Sequence, residues 1–261
     1  MTRTLLRASV FGVVLMGLAV PASAQVVHSV SFGAGIFWPK AFDTRVDKDV
    51  WVANLTQPVI PGESVTSSLE FNIKDFRAYP IFGEWHMGFG HHIEVGIGAA
   101  FQDRKVPSRY ADLVDSHGTA TTADDTDILQ DLRLRQIPIT GVVRVLGGRV
   151  GGFQPYAGGG VVASIYRYSE VGEFVDTTTL DVYQASYVAN GVAFGPVILG
   201  GVRIPIKGDV YAINVEGRYQ WLVGKTDGTS MGANGEILPD FLGSKLDLGG
   251  GGLNFSFLIR F

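Results

Sequence analysis

The segment Gly249–Phe261 follows one rule. Leu253, Phe255, Phe257, Ile259 and Phe261 fall on every second residue, and Asn254, Ser256 and Arg260 fall between them, with Leu258 the exception. A period of two sorts side chains onto opposite faces of an extended strand, which no helix does. The same rule governs 211–223, where Tyr211, Ile213, Val215, Tyr219, Trp221 and Val223 share one face. Asn214, Glu216, Arg218 and Gln220 share the other. A chain assembled from such segments is all-β, and its large apolar faces must meet either a second layer or an apolar solvent.

The N-terminus bears on that choice. Residues 1–24 read as a cleaved secretory signal peptide, with Arg3 and Arg7 as the basic start, Leu5–Val20 as the apolar stretch and Ala22-Ser23-Ala24 as the cleavage site. Residues 25–261 then form the mature domain, and losing two Arg takes the formal charge from −4 to −6. That mild acidity gives nucleic acid no hold. Mean hydropathy is +0.21, high for a soluble secreted chain, yet no mature stretch is long and apolar enough for a spanning helix. A hydrophobic chain without such a helix crosses a bilayer only as a closed barrel, which satisfies every backbone group between strands. The sequence has no Cys, so thiolate metal sites and cysteine nucleophiles are excluded.

Eight alternating segments fit a single closed antiparallel barrel: about 27–38, 73–86, 91–102, 132–146, 153–168, 191–206, 211–223 and 249–261. Short turns at 87–90, 147–152 and 207–209 alternate with long polar connections at 41–71, 103–131, 169–189 and 225–246. Even strand number and that loop asymmetry are the marks of a transmembrane barrel with both termini on the periplasmic side. Ten strands result instead if part of 41–71 pairs as a hairpin. Pro80 and Pro138 fall near mid-strand, where each removes a ladder donor and implies a local bulge.

On this cut the spanning charges Glu84, Glu94, Arg144, Arg203, Glu216 and Arg218 face inward, three of each sign. Equal numbers suit a narrow interior, because an unpaired buried charge is costly. They form either a filled ion-pair network or a pore lining, and eight strands leave an interior that side chains fill. Trp85, Tyr156, Tyr211 and Phe261 near the turns, and Trp38, Tyr166, Tyr168, Tyr219 and Trp221 near the loops, are expected to form two aromatic girdles.

Chemistry-bearing motifs are few. His28 with Ser29 or Ser31, and His86, His91 and His92 around the first turn, form no recognised hydrolase pattern. The turn histidines also lie on the side opposite the lipid A leaflet. Asp124, Asp125 and Asp127, with Asp131, lack the glycine and closing Glu of a calcium loop and read as a solvated face. Gly158-Gly159-Gly160 has no following Lys and starts no helix, so it is not a phosphate loop. No catalytic residue, cofactor or metal is expected.

The signal peptide, the eight segments, the FQPYAGGGV stretch from Phe153 and the terminal NFSFLIRF resemble the small Gram-negative outer-membrane β-barrels. These are the OmpA-type transmembrane domain, the opacity-type proteins and the OmpW-like barrels. The resemblance implies an outer-membrane location, contact with outer-membrane lipids and lipopolysaccharide, and a C-terminal strand ending on Phe261 that the barrel-insertion machinery reads. It implies a non-enzymatic barrel displaying four loops to an unidentified ligand. The alternatives are an OmpW-like channel for apolar or small solutes and, less favoured, a lipid A-modifying enzyme. No peptidoglycan-binding module follows the last strand in this sequence, so that role is not implied.

Overall fold

A computed structural model describes residues 26–40, 46–47, 50–60, 63–70, 73–110, 129–175, 182–207, 210–225, 230–232, 237–238 and 245–261. The expected signal peptide and Asp124, Asp125 and Asp127 lie outside the described residues.

Eight antiparallel strands form a ring: β1 (Val26–Pro39), β2 (Ile81–Phe89), β3 (Ile93–Tyr110), β4 (Leu129–Leu146), β5 (Gln154–Val175), β6 (Val182–Lys207), β7 (Tyr211–Gln220) and β8 (Gly250–Arg260). Each pairs with its neighbours in sequence, and β8 returns to β1 in a ladder from Ser29↔Arg260 to Pro39↔Gly250. Closure leaves the ring without an open edge, the condition for crossing lipid with strands. Among the described residues no helix is long and apolar enough to cross a membrane.

Four strands are longer than their alternation suggests. β3 and β4 have 18 residues each, β5 has 22 and β6 has 26, where about 9–11 span a bilayer. Much of the sequence expected as long loops is therefore strand. The cause is visible on β4. Along its lower part the outward residues Ile137, Ile139, Val143 and Val145 are exposed, while Thr140 and Arg144 are buried. Above residue 136 the pattern inverts, with Leu132 and Leu134 buried inside and Arg133 and Arg135 outside. Alternation read as apolar-out stops at that level although the ladder continues. The upper barrel holds its own apolar core, including Val106, Leu132, Tyr168, Phe174, Tyr187, Leu222 and Leu246. Each such side chain contributes about 1.5–3 kcal/mol over exposure to water.

Other boundaries also shift. The first turn is Gly90–His92, with Gly90 at φ 63°, so His86 lies within β2 rather than at the turn's edge. Residues Ile73–Phe76 form a 3-10 turn, and Pro80 precedes β2, its carbonyl accepting from the Gly35 amide at 2.9 Å. Pro138 causes no bulge. Pairing of β3 with β4 lapses between Ala99↔Ile139 and Gln102↔Gln136 and resumes in the same register, because proline lacks the N–H to donate. The register does shift at Pro205, between Tyr211↔Lys207 and Ala212↔Pro205.

Val50–Ile60 and Glu63–Glu70 do pair as a hairpin, but among the described residues it pairs with the ring through Leu69↔Tyr110 and Glu70↔Arg109 alone, at the top of β3. It extends the wall above the barrel, and the ring keeps eight strands.

Candidate functional site

The most organised group of polar side chains is a layer across the lower lumen to which all eight strands contribute. Arg144 of β4 is its hub. The guanidinium is paired with Glu84 of β2 through Nη1 and, at 3.0 Å, through Nη2, and it donates to Glu216 Oε2 of β7 at 2.8 and 3.1 Å. Arg203 of β6 holds Glu94 of β3 with two hydrogen bonds of 2.9 and 3.0 Å and donates from Nε to Asn214 at 3.1 Å. Arg218 donates to Glu216 Oε1 at 2.6 Å. The Tyr156 ring of β5 lies 5.7 Å from the Arg144 guanidinium carbon and 5.9 Å from that of Arg203, within cation–π range. Asn214 reaches Ser256 of β8 at 3.3 Å.

A close approach of backbone makes room for the hub. A Cβ on Gly96 would strike the Glu84 carboxylate and stand 2.6 Å from Arg144 Nη1. On β5 a Cβ on Gly160 would meet the backbone of β4, so part of the glycine run lets two strands curl tightly together.

β1 enters through Ser31. Its Oγ lies 2.8 Å from His86 Nε2, and His86 Nδ1 lies 3.1 Å from Glu94 Oε1. Arg144 Nη1 also stands 3.3 Å from Nδ1, so the imidazole is held between the Ser31 hydroxyl on one side and the Glu94 carboxylate and Arg144 on the other. These are the atoms of a serine hydrolase relay, but access is absent. Ser31 is 2% exposed, Glu94 is committed to Arg203, and the space beside them is about 10 Å³, room for about one water. The larger cavity above, lined by Phe82, Glu84, Ala100, Pro138 and Arg218 among others, is about 40 Å³. Among the described residues no cluster of His, Asp and Glu is arranged to hold a metal.

All six inward charges expected from the sequence thus lie in one connected layer. Sequence reasoning missed Ser31, His86, Asn214, Tyr156 and Ser256 as its members. Ser31, Asn214 and Ser256 carry the signal that would have found them, since each falls on the polar side of its strand's alternation. The girdle expectation needs correction. Tyr156, Tyr166 and Tyr168 point inward and are buried; both faces of β5 are small or apolar, so its alternation does not tell the faces apart. Trp38, Trp85, Tyr211, Trp221 and Phe261 are exposed and Tyr219 is half-buried. Phe261 stacks on His28 at 6.4 Å between ring centroids, and His28 on Trp85 at 5.6 Å.

No protein-family model and no curated protein sequence matches this chain. Its structure does have neighbours. The crystal structure of the outer membrane protein OprG from Pseudomonas aeruginosa superposes with a TM-score of 0.52, covering 93% of this chain and 99% of OprG at 14% identity. The fold is that of an outer-membrane β-barrel. Two other structures resemble it more distantly. The protease OmpT from Escherichia coli has a TM-score of 0.44 at 11% identity, covering 94% of this chain and 99% of its own. Ail, the attachment invasion locus protein of Yersinia pestis, has a TM-score of 0.36 at 10% identity, covering 91% and 99%. Neither adds weight to the assignment.

Proposed function

We propose that this is an exported, non-enzymatic integral outer-membrane protein whose barrel anchors a tall extracellular β-wall and its loops for surface interaction. The observation that carries the reading is the charged layer. Arg144, Glu84, Glu216, Arg218, Arg203 and Glu94 are paired to one another and fill the lumen at one level, leaving cavities of about 40 and 10 Å³. The outward residues around it are apolar, including Phe32, Ile97, Val143, Ile198, Ile213 and Phe255, which supports lipid outside and a plug inside. The test is conductance of residues 25–261, refolded and reconstituted in a planar bilayer. A folded and silent protein is expected. Reproducible current steps that change in Glu216→Gln or Arg218→Gln would make the layer a pore lining and end this reading.

One observation favours a second reading, a channel for apolar or small solutes that leave sideways. The β2–β3 ladder ends at Ile81↔Phe101 and strand pairing on that side of β3 resumes at Glu70↔Arg109, leaving a notch spanned by the Ile73–Phe76 turn, whose Asp75 carbonyl accepts from Arg104 Nε at 2.6 Å. The 40 Å³ cavity, bordered by Pro80, Ala100 and Pro138, lies beside this notch. Uptake of a small apolar solute by loaded vesicles, abolished by Ala100→Phe, which puts a ring into that cavity, would support it.

A further inference from the structure

We propose that the outer wall of β3–β5, just above the apolar band, binds the phosphate groups of lipid A, with Arg135 and Arg167 as the anchoring pair. The inference rests on the outer-membrane reading above, with the long strands directed outward.

Arg135 on β4 and Arg167 on β5 are Cα partners, and both project from the outer face of the wall. Like charges directly opposite on a sheet repel, so the pair calls for an anion. The protein supplies too few. Asp103 is shared between Arg133, at 2.6 and 2.8 Å, and Arg135, at 3.2 Å. Asp131 is taken by Lys105 at 2.7 Å. Among the described residues the Arg167 side chain has no hydrogen-bonding or ion-pair partner. Lys105, Arg133, Arg135 and Arg167 therefore face two carboxylates, a local excess of positive charge on an acidic chain.

What lies beneath selects the ligand. The next outward pair down the same two strands is Ile137↔Ile165, followed by Ile139↔Ala163, and both isoleucines of the first pair are exposed. A ligand that satisfies both levels carries an anionic head and apolar chains. Guanidinium forks suit phosphate oxygens, which they bind bidentately. The row stands at the long-strand end, where the outer leaflet is built of lipid A rather than glycerophospholipid.

The test is titration of the full mature chain, refolded in detergent and followed by native mass spectrometry, with four probes: diphosphoryl lipid A, dephosphorylated lipid A, phosphatidylglycerol and inorganic phosphate. Diphosphoryl lipid A is expected to bind best, and the Arg135→Gln/Arg167→Gln variant to bind it about tenfold more weakly, the loss expected for charge-assisted hydrogen bonds. Removing the lipid's phosphates should weaken wild-type binding similarly. Unchanged affinity in the variant overturns the proposal. So does equal binding of phosphatidylglycerol, which would mean a general anionic-lipid surface, or equal binding of inorganic phosphate, which would mean a free-anion site. If the double variant does not fold, Arg167→Gln alone removes no partner within the described residues, and a loss in the same direction is required of it. A heat-dependent gel shift of the wild type separates the two failures. A wild-type chain that never forms a heat-modifiable barrel in lipid defeats the outer-membrane reading and this proposal with it. A folded barrel indifferent to Arg135 and Arg167 defeats this proposal alone.

Discussion

Arg144 on β4 and Glu216 on β7 meet across the lumen, Nη2 to Oε2 at 2.8 Å. Strands three places apart around the ring are thereby tied through its centre, and Glu84 of β2 holds the same guanidinium from another side. The tie is made inside, where water does not compete, so the cost of breaking it is set by the charges left behind.

Arg144→Met would leave Glu84 only the longer contacts to Arg218 at 3.9 Å and His86 at 3.7 Å, and would leave Arg218 as the one guanidinium on Glu216. Removing one member of a buried ionic group costs about 3–5 kcal/mol. Urea unfolding of the refolded barrel, read by the gel shift, should show a loss of that order. A loss below about 1 kcal/mol, the range of an exposed pair, would mean that the layer is hydrated and open.

Gly96 faces the same hub. Gly96→Ala would drive a methyl group into the Glu84 carboxylate and Arg144, and overpacking of this kind costs about 1–3 kcal/mol. Gly148→Ala is the control, since nothing lies within 4 Å of the added carbon and an exposed change there should stay within about 0.5 kcal/mol. Equal stability of the two variants would contradict the close packing around Arg144.

The sequence made the ring legible because lipid and lumen impose opposite preferences on alternate residues, as β7 and β8 show most plainly. It made the six charges legible for the same reason: Glu94 or Arg203 on the lipid face would be prohibitive. Above residue 136 the outward residues of β4 become charged and the inward ones apolar, and β4 passes through Arg135 without a break in its ladder with β5. That exchange hid the upper parts of β3–β6. Tyr156, Tyr166 and Tyr168 were misplaced because β5 offers Ala157, Gly159 and Ala163 on one face and Gly158 and Gly160 on the other, too little contrast to tell lipid from lumen. His86 was hidden by a turn set three residues too early.

The upper wall should have its own acid sensitivity. Hydrogen bonding by Arg133, reinforced by Arg135, holds the Asp103 carboxyl below the usual carboxylate range. A depressed folded-state pKa contributes stability above the unfolded value of about 3.9 and loses it as pH falls through the lower folded value. Wild type should therefore melt above Asp103→Asn at pH 7, and the gap should narrow progressively below about pH 4. A gap that widens in acid would reverse the assigned sign.

The Ser31–His86–Glu94 relay should be chemically silent. A fluorophosphonate probe needs to bring phosphorus within reach of Ser31 Oγ, and about 10 Å³ of space admits a water but not the reagent. No labelling of the folded barrel is expected, and Ser31→Ala should instead cost about 1–3 kcal/mol by leaving His86 Nε2 unsatisfied. Covalent labelling that disappears in Ser31→Ala would reopen the enzymatic alternative.

Ring closure can be tested directly because the chain has no Cys. Val30 and Ile259 are Cα partners across the β1–β8 ladder, although they lie far apart in the sequence. Opposed residues of an antiparallel pair stand about 4.5–5.5 Å apart, within disulfide geometry of about 4.4–6.8 Å. Val30→Cys with Ile259→Cys should oxidise readily in the folded barrel, and the product should run differently from the reduced form after heat denaturation, because the disulfide circularises nearly the whole chain. A second pair, Val30→Cys with Phe257→Cys, is offset by two residues and should oxidise far more slowly. Equal rates for the two pairs would mean that β1 and β8 slide past each other, and failure of both would mean that the ring does not close.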